Sequence, residues 1–272
     1  MSNRIASIQL CSTTRVDDNL TTLDQLVANA QQQGAKIAVL PEMFALCAES
    51  ATIKIQEPFD RGPIQNRIKE MAIRHQIWII AGTIPLISED PKRPTASTLV
   101  IDQHGGVQAR YDKIHLFDAQ LSKKEQYQES AHTLAGNQPV VCDTPAGKVG
   151  LSVCYDLRFP ELFRCLQQQG AQILVISAAF LHTTGQHHWH VLLRARAIEN
   201  SCYVIAANQC GQHESGRRSF GHSMIIDPWG EIIVSATQQE EAISADISQQ
   251  QIKKIRSNTP FTQHQTISYS PQ

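Results

Sequence analysis

Apolar positions along the chain fall into two spacings, and the alternation between them predicts the elements. RIASIQL (4–10) and AKIAVLP (35–41) are compact apolar runs of strand length, while DDNLTTLDQLVANAQQQ between them sets Leu20, Leu23, Leu26, Val27 and Ala30 three and four apart. Strand, amphipathic helix and strand follow as a β-α-β opening. Residues 61–75 repeat the helical spacing through Ile64, Ile68, Met71 and Ala72, with Pro63 placed where a first helical turn has no need of its N–H. IWIIAGTIP then reads as another buried strand. In STLVIDQHGGVQARYD, strand-forming residues flank Gly105 and Gly106, which predicts a hairpin. Residues 116–136, LFDAQLSKKEQYQESAHTLAG, are polar and weakly periodic, so a long loop with at most a helical turn is expected there. Loops of that length inside compact domains are often functional.

The second half of the chain repeats the first. QQQGAKIAVL (31–40) matches QQQGAQILVI (167–176), WIIAGT (78–83) resembles YVIAAN (203–208), and TLVIDQHGG (98–106) resembles SMIIDPWGE (223–231). Each half then reads strand, helix, strand, helix, strand, hairpin. Two α/β halves, each a sheet covered by helices on one face, would bury their free sheet faces against each other in a four-layer α-β-β-α sandwich. The competing reading is chance likeness of apolar strands, since only the QQQGA match is close. At 272 residues and 42% hydrophobic, the chain is long enough to be taken as one domain, 1–272, whose core needs no staples.

Charge narrows the partners. With 24 basic and 25 acidic residues the chain sums to -1, without a basic block or acidic tail, so nucleic acid and membrane surfaces lose their usual support and a small-molecule ligand fits better. The start MSNRIASIQL lacks the pattern of a secretory signal, and no run approaches the roughly 18 apolar residues of a membrane span, so a cytoplasmic protein is expected. The seven cysteines (Cys11, Cys47, Cys142, Cys154, Cys165, Cys202, Cys210) are odd in number and lack CxxC spacing, which predicts free thiols rather than a disulfide framework or zinc site.

In open α/β sheets ligands gather beyond the carboxyl ends of the strands. Glu42 follows the strand IAVL, Lys113 follows the second hairpin strand, and Cys154 follows VGLSV, so a carboxylate, an ammonium and a thiol stand at three strand exits. Sulfur is a strong nucleophile only as thiolate, and a thiol with a pKa near about 8.5 needs a base or positive surroundings. Glu42 supplies the first and Lys113 a charge for a developing oxyanion. Each has an ordinary reading too: a cysteine after a strand is commonly a small buried hydrophobe, a Pro-Glu can start a helix, and a lysine after a hairpin is commonly exposed.

LPEMF around Glu42, YDKIHLFD around Lys113 and GLSVCYDLRFPEL around Cys154 resemble, in order, the signature segments of the nitrilase superfamily of carbon–nitrogen hydrolases. The resemblance runs from about residue 4 to residue 265. It implies the α-β-β-α sandwich, a Glu42-Lys113-Cys154 triad, a second glutamate after the lysine for which Glu129 fits better than Glu125, and no cofactor. It also implies at least a homodimer, joined through the helices after Cys154. HWHVLLRARAIENSCYVIAANQCG and RRSFGHSMIIDPWGE are similar to the branch that hydrolyses deaminated glutathione rather than to the ω-amidase branch. Hydrolysis of a small amide through a thioester is the activity so implied, with Tyr155 N–H assisting Lys113 at the oxyanion. Amidases, carbamoyl hydrolases and nitrilases would all use this triad, and a binding protein on the same scaffold is the reading from outside enzymes.

Substrate contacts are expected from Arg217, which suits bidentate binding of a carboxylate, and from Trp189 and Phe180. Arg217 would otherwise be a solvated loop residue, and Trp189 a core residue. In QHHWH, His187 and His190 share a helix face, but no cysteine or carboxylate nearby completes a ligand set, so no metal is expected. Arg196 and Glu199 are spaced for an i, i+3 pair, and Asp156 and Arg158 are expected to fix the bend after Cys154 through local hydrogen bonds.

Overall fold

The computed structural model describes residues 3–47, 55–123 and 125–267. Its first half runs β1 (Arg4–Gln9), α1 (Val16–Gln32), β2 (Ile37–Val39), α2 (Pro63–His75), β3 (Trp78–Leu86), β4 (Thr95–Ile101) and β5 (Val107–Asp112). A short ribbon, β6 (Asp118–Gln120) and β7 (Gln126–Gln128), leads to the second half. There follow β8 (Val141–Thr144), β9 (Gly147–Val153), α3 (Pro160–Gln168), β10 (Ile173–Ala178), α4 (His182–Asn200) and β11 (Tyr203–Asn208). A second ribbon, β12 (Cys210–Gln212) and β13 (Arg218–Phe220), precedes β14 (Met224–Ile226) and β15 (Ile232–Ser235); β16 (Glu241–Asp246) and α5 (Gln249–Asn258) come last.

Among the described residues the strands outside the two ribbons form two six-stranded sheets, ordered β16-β1-β2-β3-β4-β5 and β8-β9-β10-β11-β14-β15. Each has a parallel centre, β1-β2-β3 or β9-β10-β11, with antiparallel strands outside it. The two orders superimpose strand for strand, which is the repeat seen in the sequence. Its closest match, QQQGA, is a helix stop: Gly34 and Gly170 take left-handed φ of 86° and 95°, and the following Ala35 and Ala171 N–H groups reach back to Ala30 O and Leu166 O.

Side-chain alternation along β1 shows why the sheets stack. Ile5 belongs to the core that holds Leu151, Val175 and Ile205 of the other sheet, whereas Ala6, Ile8 and Leu10 belong with Leu20, Leu23 and Ile68 of the helices. Ser7, on the inner face, donates to Ala206 O across the seam at 2.9 Å. The result is the expected α-β-β-α sandwich, with each fully buried Leu, Ile or Val worth about 1.5–3 kcal/mol of apolar transfer.

Two features differ from expectation. Residues 116–136 hold the β6–β7 ribbon besides the 3-10 turn Glu129–Ala131; each strand is three residues long with only its middle residue, Ala119 or Tyr127, half-buried, too short for an apolar rhythm to announce it. β16 returns from the end of the second half to pair with β1 of the first, Ile5 opposite Ala245, a pairing no local pattern specifies.

Candidate active site

Strand exits from both sheets meet at one place. Lys113 Nζ lies 2.8 Å from Glu42 Oε1 and 2.9 and 2.8 Å from the two oxygens of Glu129, which the 3-10 turn after β7 carries. The Cys154 thiol faces the Glu42 carboxylate closely enough for the carboxylate charge to act on it. All but Glu129 are nearly closed to solvent, with side chains of Lys113 and Glu42 only 2% and 7% exposed.

Each side chain is held by backbone. Glu42 Oε2 accepts the Ala179 N–H at 2.8 Å and its carbonyl accepts Gln209 Nε2 at 2.9 Å, so the base of the first sheet is gripped by exits of the second. Gly82 in β3 allows this segment in close, since a Cβ there would lie 1.8 Å from Pro41 O. Phe117 N–H donates to Glu129 Oε2 at 2.7 Å, fixing the second carboxylate. Cys154 opens a 3-10 turn, Cys154–Arg158, with φ at 46°, a left-handed conformation that side chains seldom adopt. Strain of that kind, of order 1–3 kcal/mol, persists only where the surroundings over-determine it.

Here the determinant is Asp156, fully buried in that turn. Its Oδ2 accepts Val153 N–H at 2.8 Å and the Tyr111 hydroxyl at 2.7 Å, and its Oδ1 accepts the His115 N–H at 3.1 Å and Nδ1–H at 2.7 Å. One carboxylate therefore ties the Cys154 turn to residues on either side of Lys113. Asp156 was expected to act locally; its reach to Tyr111 and His115 was missed, although the alternation Tyr111-Lys113-His115 is in the sequence. Arg196 braces the same turn, giving two hydrogen bonds to Leu157 O at 3.2 and 2.8 Å besides its pair with Glu199 at 2.9 Å. Arg158 does not make the local bonds expected of it and instead meets His188 Nδ1 at 3.2 Å, its guanidinium facing the rings of Tyr155 and Phe180.

Burial and charge set the protonation states. Burial pushes Glu42 upward, but the Lys113 ammonium and then Arg217 outweigh it and hold the carboxyl below its usual range. Burial also works against the Lys113 charge, yet Glu129 and Glu42 keep it protonated well above the usual lysine value. For Cys154 burial and the Glu42 charge act together, and the sulfur rests as a thiol. The resting cluster is a thiol facing a carboxylate beside an ammonium.

A cavity of about 380 Å³ opens onto these groups, with Glu42, Lys113, Glu129 and Cys154 in its wall together with Phe117, Tyr127, His132 and Arg217. Arg217 spans from Ala179 O to the Tyr127 ring, 5.7 Å from its centroid. Tyr127 and His132 come from the segment expected to be a loop and were missed. Phe180 and Trp189 require correction: they are 3% and 0% exposed, pack on each other at 5.0 Å and do not line the cavity. Trp189 donates its indole N–H to His222 O, the buried partner such a ring needs. Tyr155 is half-buried between the rings of Phe117 and Phe159. In QHHWH, His190 lies beside Phe220 and His222, with ring centroids 5.9 and 5.6 Å away.

Residues 4–257 match the family model for carbon-nitrogen hydrolases. The chain is 42% identical over 263 residues to a deaminated glutathione amidase of Yersinia enterocolitica, covering 96% of this chain and 92% of that protein. The NitFhit protein of Caenorhabditis elegans superposes with a TM-score of 0.89 at 35% identity; the match covers 97% of this chain and spans 65% of that longer one. A mutant of the amidase from Nesterenkonia sp. AN1, in which acrylamide has added to the active site cysteine, superposes with a TM-score of 0.79 at 25% identity, over 96% of this chain and 99% of that one. Among the described residues no helix is long and apolar enough to cross a membrane.

Proposed function

This chain belongs to the carbon–nitrogen hydrolase family, and on that premise we propose that Cys154 attacks the carbonyl of a small linear amide with Glu42 as its base. The observation that carries the reading is the Cys154 thiol set against a buried Glu42 that Lys113 holds ionised, all opening on one cavity. As sulfur bonds to carbon, its proton passes to Glu42, and the oxyanion is received by Lys113 Nζ and the Tyr155 N–H. Collapse breaks the C–N bond, Glu42 protonates the departing nitrogen, and a thioester remains on Cys154. Glu42 then takes a proton from water as it attacks; collapse releases the acid and returns the proton to sulfur. Glu129 keeps the ammonium in place. The residues need no cofactor for these steps.

The substrate we propose is deaminated glutathione, cleaved to 2-oxoglutarate and cysteinylglycine. Arg217 in the cavity wall gives a planar cation for a substrate carboxylate, and relatives named for this activity match nearly the whole chain. The enzyme is taken to act in the cytoplasm as a homodimer of the 1–272 domain, with the exposed Val191 and Ile198 of α4 in the shared face. The deciding experiment compares kcat/KM for deaminated glutathione with that for 2-oxoglutaramate, which shares the acyl half and releases ammonia. At least a tenfold preference for the larger amide is expected, because contacts to the dipeptide can be used in the transition state; equal rates would refute this substrate and leave the amidase chemistry standing.

A further inference from the structure

Away from the cavity, a second group of sulfurs gathers where the two sheets meet. Leu10, following β1, bridges Gln209, following β11, in parallel, and Cys210 N–H donates to Leu10 O at 2.9 Å. The next residues, Cys11 and Cys210, therefore turn to the same side of the seam, and their thiols interact. Gly211, at φ 73°, lets the Cys11 sulfur lie against the backbone: a Cβ there would come within 3.2 Å of it. His213 is 3% exposed; its Nδ1–H donates to Ser12 O at 2.9 Å and its Nε2 meets the Ser219 hydroxyl at 2.8 Å, which fixes the ring where its charge acts on Cys11 and Cys47. Glu240 accepts the Cys11 N–H at 3.0 Å, and the charges of Glu240 and Glu241 face Cys210.

We propose that Cys11 and Cys210 are an oxidation-sensitive thiol pair that hydroperoxides convert to a disulfide joining the two sheets. Cys11 sulfur attacks one peroxide oxygen; the O–O bond breaks, the sulfur becomes a sulfenic acid, and the other oxygen leaves as water or an alcohol after taking a proton. Cys210 then attacks Cys11 sulfur, its proton goes to the departing hydroxyl, and water is released as the S–S bond forms. Two thiols lose two electrons and the peroxide gains them.

Cys11 is suited to be attacked first because it is half-buried, while Cys210 and Cys47 are each 1% exposed. Its surroundings favour the thiolate: Cys210 and then His213 lower it to about 5, against burial. Burial alone would lower His213, but its contacts to Cys11 and Cys47 hold the imidazolium, at about 10. The pair does not depend on the proposed substrate, since none of these residues lines the cavity.

The test treats the whole chain with hydrogen peroxide and maps thiols residue by residue by mass spectrometry under non-reducing conditions. A Cys11–Cys210 crosslink reversed by dithiothreitol is expected, with Cys210→Ser stopping at a sulfenic acid on Cys11 that a dimedone probe captures. In the untreated chain, Cys11 should react with iodoacetamide at pH 6 at least about tenfold faster than Cys165, the other half-buried thiol. Absence of the crosslink while Cys11 advances to sulfinic acid, or alkylation of Cys11 no faster than of Cys165, overturns the proposal. The alkylation rate is read on the native sequence and needs no variant to fold.

Discussion

Cys154 and Cys11 both lie at the end of a strand beside an ionisable partner, and their sulfurs are held in opposite states. Cys154 has a carboxylate against it in a buried site at the cavity wall, so the thiol is kept protonated and becomes a nucleophile only while Glu42 takes its proton. Cys11 has an imidazolium and a second thiol beside it at a half-open site, and these favour its thiolate. A resting thiol beside a base discriminates, because it reacts when a bound carbonyl completes the geometry. A standing thiolate reacts with whatever electrophile reaches it. The partner residue and the depth of burial, not the cysteine itself, separate a catalytic sulfur from one that senses.

The sharpest way to break the comparison is Glu42→Gln. Turnover should fall on the order of 10³-fold or more, as for loss of a general base in a nucleophile unit, and combining it with Cys154→Ala should make the loss little worse than Cys154→Ala alone. Alkylation of Cys154 above about pH 9 should speed up in the same variant, since the neighbouring charge that opposes its thiolate is gone. Steady-state kinetics and peptide-level alkylation read the two effects separately, and a parallel fall in both would refute the base assignment.

Asp156→Asn comes next. An amide has one oxygen and one NH2, so it cannot accept from Val153, Tyr111 and His115 as the carboxylate does, and it puts a donor where a donor already points. About a 10²-fold loss of kcat is expected from the displaced Cys154 and Lys113, together with a lower Tm, while Cys11 alkylation should be unchanged. A change confined to Tm would show that Asp156 only stabilises.

The smallest expected effects are in pH. Glu42 is held below its usual value when folded, so its charge stabilises the fold above the ordinary glutamate range, and that support is lost as pH falls through the lower folded value. Lys113 is held above its usual value, so its contribution is complete below about pH 10 and is lost only as pH rises through the folded value. Accordingly kcat/KM should be flat across neutral pH, without the rise near pH 8.5 that a free thiol would give. Cys11 alkylation should change less than about threefold between pH 6 and 8, and His213→Asn should restore a rise of roughly tenfold over that interval. A thiol-like rise in turnover, or a steep Cys11 profile in the native chain, would erase the difference between the two sites.

Much of this was readable along the chain because periodicity is local. Leu20, Leu23, Leu26 and Val27 predict α1 and Pro63 marks the start of α2, and both are found; QQQGA was legible as a repeat, while its role as a helix stop came from the structure. The segments around Glu42, Lys113 and Cys154 were equally legible, since strand exits in an α/β sheet carry chemistry and the three segments resemble one family. Phe180 and Trp189 were misplaced because a large aromatic near a site has the same sequence appearance whether it lines a cavity or fills the core behind it. Their burial decides, and it depends on how α4 packs on β10 and β11.

The sequence by itself determined the main helices and core strands, their repetition and the strand ends from which the reactive side chains emerge, because hydrophobic spacing acts over a few residues. Only the tertiary structure decided that Asp156 reaches Tyr111 and His115, that Ala179 N–H grips Glu42, and that Cys11 meets Cys210 and His213. Those contacts join residues roughly 40 to 200 positions apart, and no local preference specifies them. They follow from two sheets burying their inner faces, which brings the strand ends to one rim and excludes the water that would otherwise screen the charges there.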